Sequence, residues 1–346
     1  MRKRVGFSFA MMQLQTVSRF FISVLLLFMT LTSETRAQLT KLTVSYAGES
    51  PTHLPAWIAA DAGLFTKNGL DVQLVRARSD VSIMAVLSGE IAFAQTGATS
   101  VINSRLAGSD TVIVAGGTVS LPYWLVSRPE IRSPEQLKGK TIGVLAIGGT
   151  AYVVARFALR TLGLNPDKDV AMLAVGGTPE RLLALRTGRI QATLLSPPTV
   201  FVSKREGFSI LADVAELGLN YQHDSVVTTQ KFVRENRETV AKYVKSQIEA
   251  VHFAKTHREA GIKILARYLK QLKDRELLEQ SYDISVADHM LPRKQYPSLP
   301  GIQTILDELA ERNPKAKQAR PADFIDTRFV QQLDDNGYVD QLYARK

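Results

Sequence analysis

"VLAIGGTAYVVARFALRTLGL", residues 144–164, passes from an apolar stretch through a Gly148-Gly149-Thr150 break into a helical pattern. Strand, glycine turn and helix N-terminus in that order form the building unit of an α/β sheet, and the turn is where small molecules are held. The Gly-Gly-Thr triplet recurs at 116–118 and 176–178, each time after an apolar strand pattern. Related polar breaks stand at Ser50-Pro51-Thr52-His53, Thr96-Gly97-Ala98-Thr99 and Ser196-Pro197-Pro198. Most fall at the C-terminal end of a predicted strand and ahead of a helix. Glycine lets a ligand approach the backbone, and the first N–H groups of a helix lack internal partners. Those donors and the helix dipole favour an acceptor or an anion. Turns and N-caps use the same residue types with no ligand present, so the expectation rests on the set of six breaks.

Outward from this unit, residues 42–211 alternate short apolar runs with helical segments. "LTVSYA" and "LDVQLV" predict strands, and "PAWIAADAGLFTKNG" predicts one helix ended by Gly69. A change comes at "YWLVSR", an extended segment that meets Pro129. Ser133-Pro134-Glu135-Gln136 then starts a short capped helix. From Thr141 a second strand-helix series runs to about residue 220. After "DSVVTTQ" long helices take over, with Val240, Val244, Ile248 and Val251 on one face. The expected fold class is α/β in two units, each a mainly parallel sheet flanked by helices, with the last helices packed back on the first unit.

Arg2, Lys3 and Arg4, then the twelve mostly apolar residues "FFISVLLLFMTL", then "TSETRA" have the three parts of a secretory signal peptide, with cleavage expected after Ala37. The apolar run is shorter than the roughly 20 residues of a membrane-spanning helix. The chain holds no cysteine, which excludes a lipid-modified cysteine and any disulfide. The net charge of +10 falls to +6 once Arg2, Lys3, Arg4, Arg19, Arg36 and Glu34 are removed with the leader. That excess is spread along the chain, without the basic runs and interleaved aromatics of a nucleic-acid groove.

Enzymatic signatures are missing. "LKGKTIG" contains Gly-Lys-Thr, but Pro134 stands where a phosphate loop needs glycine, and a strand follows the lysine. No G-x-G-x-x-G opens either unit and no G-x-S-x-G elbow is present. The histidines at 53, 223, 252, 257 and 289 have no metal-ligand spacing. His252 and His257 read as solvated helix residues. His53 lies in a candidate ligand loop, as a hydrogen-bond donor or as plain surface.

"LPAWIAADAGLFTKNGLDVQLV" resembles the segment near the mature N-terminus of periplasmic substrate-binding proteins of the NMT1/SsuA/TauA-like group. "LSGEIAFAQTGATS", "LKGKTIGV", "GGTPERLLALRTGRIQATLLSPP" and "DFIDTRFVQQLDDNGY" continue the likeness along nearly the whole mature chain. The resemblance implies a type 2 periplasmic-binding-protein fold of two α/β lobes joined by a two-segment hinge, like a Venus flytrap. Lobe I is expected at 38–127 with 225–346 and lobe II at 128–224, behind the leader at 1–37. Ligand would lie between the lobes and pass to the permease and ATPase of an inner-membrane ABC importer, with the protein a periplasmic monomer needing no cofactor or metal. The family's cleft loops fall on Thr52, His53 and Leu54, on Thr96, Gly97 and Ala98, and on Thr118 in lobe I. In lobe II they fall on Gly149, Thr150 and Ala151, then Thr178 and Ser196. Trp124 beside the hinge closes over a ligand or belongs to the core. Ala92 and Gln191 replace an aspartate that relatives often carry, which weakens the transfer of a particular ligand. Sulfonate, taurine, a nitrate-like anion, and an uncharged, heterocyclic or aromatic solute all remain open. Two other roles are weighed on the same fold. One is an enzyme of the thiamine-pyrimidine synthase type, whose cysteine-rich motif has no counterpart here. The other is a sensing module for a membrane receptor.

Overall fold

The computed structural model describes residues 38–270 and 272–344; the expected leader lies outside the described residues. Ten strands are present among them: β1 Thr40–Tyr46, β2 Leu70–Arg76, β3 Phe93–Gly97, β4 Thr111–Ala115, β5 Trp124–Ser127, β6 Lys140–Val144, β7 Val170–Ala174, β8 Ala192–Leu195, β9 Ser209–Asp213 and β10 Asp224–Thr229. Between them lie helices α1 Leu54–Asp61, α2 Leu64–Lys67, α3 Ser79–Ser88, α4 Ala98–Leu106, α5 Thr150–Thr161, α6 Thr178–Arg186 and α7 Thr199–Arg205. The C-terminal part adds α8 Gln230–Glu235, α9 Arg237–Thr256, α10 Arg258–Tyr268, α11 Arg275–Val286, α12 Leu299–Ala310, α13 Arg328–Asp335 and α14 Tyr338–Ala344.

The strands form two five-stranded sheets, ordered β2-β1-β3-β10-β4 and β7-β6-β8-β5-β9. In the first, β1 runs parallel to β2 and β3, while β10 is antiparallel to both β3 and β4. In the second, β6 runs parallel to β7 and β8, while β5 is antiparallel to β8 and β9. Each sheet is therefore mainly parallel, as expected, with one reversed strand second from an edge. The reversed strand is in each case the one the chain makes on arriving from the other sheet.

The sequence places the lobe boundary at 127; in this pairing "YWLVSR" supplies β5 of the second sheet, and the chain passes between the sheets at 116–123. Leu125 and Val126 are fully buried, which suits a strand flanked on both sides and covered on both faces. The second crossing spans 214–223, and Asp224, placed by sequence at the end of lobe II, already pairs with Gly97 in the first sheet. The helix expected from Pro55 to Gly69 is broken in two, because Gly63 takes a left-handed conformation with φ 70° between α1 and α2.

Val240, Val244, Ile248 and Val251 of α9 are all buried, and the helix packs its apolar face on the first sheet. Tyr243 stacks on Phe93 of β3 at 4.1 Å and on Phe65 at 5.3 Å. The other large cluster runs through both lobes: Val101 and Ile102 of α4, Val154 and Ala158 of α5, and Ile302, Ile305 and Leu306 of α12 share it. A charged seam reinforces the α5–α12 contact. Arg156 is 2% exposed and donates to both oxygens of Asp167 at 2.7 Å, to Glu308 at 2.7 Å and to Glu311 at 3.1 Å. Arg160 also reaches Glu308 and Glu311, and Arg312 bonds Asp167 and Tyr152. The Arg156 hydrogen bonds hold the Asp167 carboxyl below its usual range.

The start of α12 leans on the second crossing. Ser298 caps it by accepting from the Gly301 N–H at 3.1 Å, and a Cβ at Gly301 would stand 2.5 Å from the Tyr221 carbonyl carbon and closer still to Gln222 N. Both obstacles are backbone and cannot move aside. Gly301→Ala is expected to lower stability by about 1–3 kcal/mol through overpacking, read as a lower urea midpoint at unchanged slope. Arg156→Ala strands the largely buried Glu308 with a thinner set of donors and is expected to cost about 3 kcal/mol or more. Arg78→Ala, which removes an exposed pair with Asp80, should leave the same midpoint in place.

Candidate ligand-binding site

All six polar breaks lie at the carboxyl ends of strands: after β1, β3 and β4 in the first sheet and after β6, β7 and β8 in the second. At the first, Pro51–His53 make a single 3-10 turn whose Thr52 N–H and hydroxyl both donate to Ser50 Oγ, at 3.4 and 3.1 Å. That turn buries His53 at the mouth of α1, while Leu54 points into the first-lobe core. At the second, Gly97 ends β3 and the N–H of Ala98 donates to the His223 carbonyl at 3.1 Å. Thr118 is buried in the first crossing. In the other lobe, Gly149 precedes α5, Thr150 and Ala151 open it, Thr178 opens α6, and Ser196 follows β8.

The two lobes meet at these loops. A Cβ at Gly97 would collide with Thr150 Oγ1, so glycine is what lets β3 approach α5 this closely. Asn103 of α4 donates to the Gly148 carbonyl at 3.1 Å, and Thr99 Oγ1 lies 2.7 Å from the Tyr221 hydroxyl. Trp124 takes no part: its ring packs 6.2 Å from Phe201 in the second lobe's own cluster.

Four residues that no local pattern marks complete this edge. Asp224 opens β10, with its carboxylate 3.4 Å from His53 Nδ1 and 4.0 Å from His223 Nδ1. His223 Nε2 lies 3.0 Å from the Tyr123 hydroxyl. From the second lobe, Arg181 of α6 donates to the Gly176 carbonyl at 2.8 Å and the Leu194 carbonyl at 3.0 Å, at the ends of β7 and β8. All four are buried or nearly so, and the titrations of Tyr123, Arg181 and His223 reflect it. Burial pushes the Tyr123 hydroxyl up to about 12, against the opposing pull of Arg181. It pulls Arg181 down to about 10 and holds His223 below the ordinary histidine value, an effect that Asp224 partly offsets. At neutral pH Tyr123 is a phenol, Arg181 a cation and His223 a neutral ring.

Nine buried side-chain polar atoms among the described residues have no hydrogen-bond partner, and four of them sit here: His53 Nδ1, Thr96 Oγ1, His223 Nδ1 and Arg181 Nε. An unsatisfied buried group costs about 1–3 kcal/mol. A cluster of such atoms on two facing walls fits a ligand that would supply the missing partners.

The sequence reading missed three of these, Tyr123, His223 and Asp224, for a common reason. Tyr123 and Asp224 stand at or beside the first residues of the two reversed strands. Reversal carries the start of β5 and β10 to the edge where the other strands end: Trp124 pairs with Leu195, and Asp224 with Gly97. "Polar residue before an apolar run" is the only local signal, and it marks every strand start equally.

Comparison with known proteins agrees with this architecture. The Bacillus subtilis (strain 168) protein carrying the name "Putative binding protein YtlA" is 24% identical over 301 residues, covering 84% of this chain and 89% of that one. The alkanesulfonate-binding protein SsuA from Xanthomonas axonopodis pv. citri, bound to MOPS, superposes with a TM-score of 0.69 at 18% identity, covering 84% of this chain and 99% of its own. The periplasmic nitrate-binding protein NrtA from Synechocystis PCC 6803 gives 0.68 at 14%, covering 88% and 91%. The sequence model described as NMT1/THI5 like matches residues 50–260. With a match of that length, the chain belongs to the NMT1/THI5-like family.

Proposed function

We propose that this chain captures a small organic solute between its two lobes, outside the cytoplasmic membrane, and delivers it to the permease of an ABC importer. The observation that carries the reading is the set of buried, unpartnered polar atoms on both walls of one edge: His53, Thr96 and His223 on one side, Arg181 on the other. Structural neighbours named as alkanesulfonate-binding, nitrate-binding and ABC-import ligand-binding proteins support it. In this reading residues 1–37 direct export. Lobe I comprises the segments before 116 and after 223, lobe II comprises 124–213, and the two crossings are the hinge. The protein acts as a monomer and makes or breaks no covalent bond.

Binding would close the lobes because the solute bonds both walls at once, and a ligand shifts such an equilibrium only by its differential affinity for the two states. Neutral hydrogen bonds net roughly 1 kcal/mol each and those to charged groups about 1.5–3 kcal/mol. A handful suffices for tight capture.

Protein purified without denaturation from its own cells and weighed by native mass spectrometry is expected to carry one small molecule per chain. Refolded, emptied protein resupplied at a hundredfold excess over Kd should gain about 2.7 kcal/mol of stability. A chain that carries nothing and responds to no solute of a broad panel would defeat the reading. Gly97→Val places a side chain where Thr150 closes on β3. It is expected to weaken solute binding about tenfold or more, equivalent to about 1.4 kcal/mol, and to keep the radius of gyration at its open value in solution scattering. Unchanged affinity would show that this contact is absent from the bound state.

A further inference from the structure

Asp224 gives the site a sign. Its side chain is 5% exposed, and its carboxylate accepts no hydrogen bond from any described residue; His53 Nδ1 at 3.4 Å and His223 Nδ1 at 4.0 Å are its nearest polar companions. Burial keeps His223 neutral at pH 7, so that ring does not cancel the charge. Arg181, the cation contributed by α6, commits two of its nitrogens to the carbonyls of Gly176 and Leu194 and leaves only Nε without a partner. The Asp224 oxygens are not among the fully enclosed unpartnered atoms, so they stay within reach of a ligand's N–H groups. The fold does not use this carboxylate, since only the backbone of Asp224 takes part, through its N–H to Thr118 and its carbonyl to Gln222 Nε2. The Nδ1 of His53, on a ring 2% exposed, makes no hydrogen bond and faces the same oxygen.

We infer that the solute is a nitrogenous organic cation, such as an amidinium or a protonated amine, whose N–H groups dock on the Asp224 carboxylate between His53 and His223. This rests on the solute-binding reading above and narrows it. An anion held at the same place would lie against a like charge. At about 4 Å near a protein surface that repulsion amounts to roughly a thousandfold in affinity. Sulfonate and nitrate, named for the structural neighbours, would thus be rejected by this chain although the scaffold is shared. Charge-assisted N–H···O⁻ bonds are about twice as strong as neutral ones, so one carboxylate with two donors on the ligand suffices to orient it.

The test uses the full mature protein at pH 7 with benzamidine, putrescine and protonated 4-aminopyridine as cationic probes and ethanesulfonate and nitrate as anionic ones, by thermal shift and then calorimetry. At least one cation is expected to bind, with both anions at least a hundredfold weaker. Asp224→Asn should abolish cation binding while the ligand-free melting temperature stays near that of the parent protein, because the carboxylate accepts no hydrogen bond that the fold depends on. Binding of ethanesulfonate or nitrate as tight as any cation, or cation binding that survives in Asp224→Asn, overturns the charge assignment and leaves solute capture standing. The molecule carried by natively purified protein decides between the same outcomes: a cation supports the inference, and an anion or neutral compound overturns it. Silence from every probe together with an empty native protein would remove both readings at once.

Discussion

The carbonyl of Thr118 accepts from the N–H of His223 at 2.9 Å and from that of Asp224 at 3.1 Å, and this three-residue junction holds the site together. It ties the first crossing between the sheets to the second; the Tyr123 carbonyl, accepting from Val214 N–H at 2.9 Å, ties them again. The crossings are thus one bonded pair rather than two loose tethers. Their closeness depends on Gly117, where a Cβ would stand 2.9 Å from the Asp224 carbonyl oxygen; a Cβ on Gly116 would stand 2.8 Å from the carbonyl oxygen of Tyr296, ahead of α12. The placement of Tyr123, His223 and Asp224 follows from this junction, because each reversed strand starts where a crossing ends.

The C-terminal helices add a second constraint. Helix α12 shares an apolar cluster with α4 of one lobe and α5 of the other, and the buried Arg156–Glu308 pair binds it to α5 beneath exposed Asp167 and Glu311. A buried ion cluster of this kind contributes less to net stability than its bond count implies, since desolvating the charges offsets much of the attraction. Its effect is on register: Arg156 can satisfy Asp167, Glu308 and Glu311 together in only one placement of α12 against α5. Gly301 sets the other end of the helix against Tyr221 and Gln222, so α12 is fixed to the second lobe and to the crossing at once.

The three Gly-Gly-Thr triplets look interchangeable in the sequence and do different work in the fold. Gly117 permits the approach of the two crossings, and Gly116 that of the Tyr296 backbone. Gly148 takes φ 81° and Gly149 caps α5. Gly176 and Gly177 lead into α6, where the Gly176 carbonyl receives Arg181. Reading them as loops at strand ends was sound, because glycine after an apolar run is a local signal of a turn. Their separate tasks depend on which backbone comes near, a long-range matter that no triplet encodes. Trp124 shows the same limit: its place beside a crossing was legible, while its packing on Phe201 was not.

Local order along the chain was enough to establish the α/β class, the strand-end loops with His53, Thr96 and Thr150, and the burial of the α9 face at Val240, Val244, Ile248 and Val251. Each of these depends on residues a few positions apart, where periodicity and turn chemistry act directly. The electrostatic character of the edge had to wait for the tertiary structure. Hydroxyls and glycines in the loops left the charge of the solute open, whereas the assembled edge carries Asp224 and Arg181, with His223 and Tyr123 beside them. Those residues arrive through strands that run backwards in their sheets, and strand direction is set by how two distant segments pair.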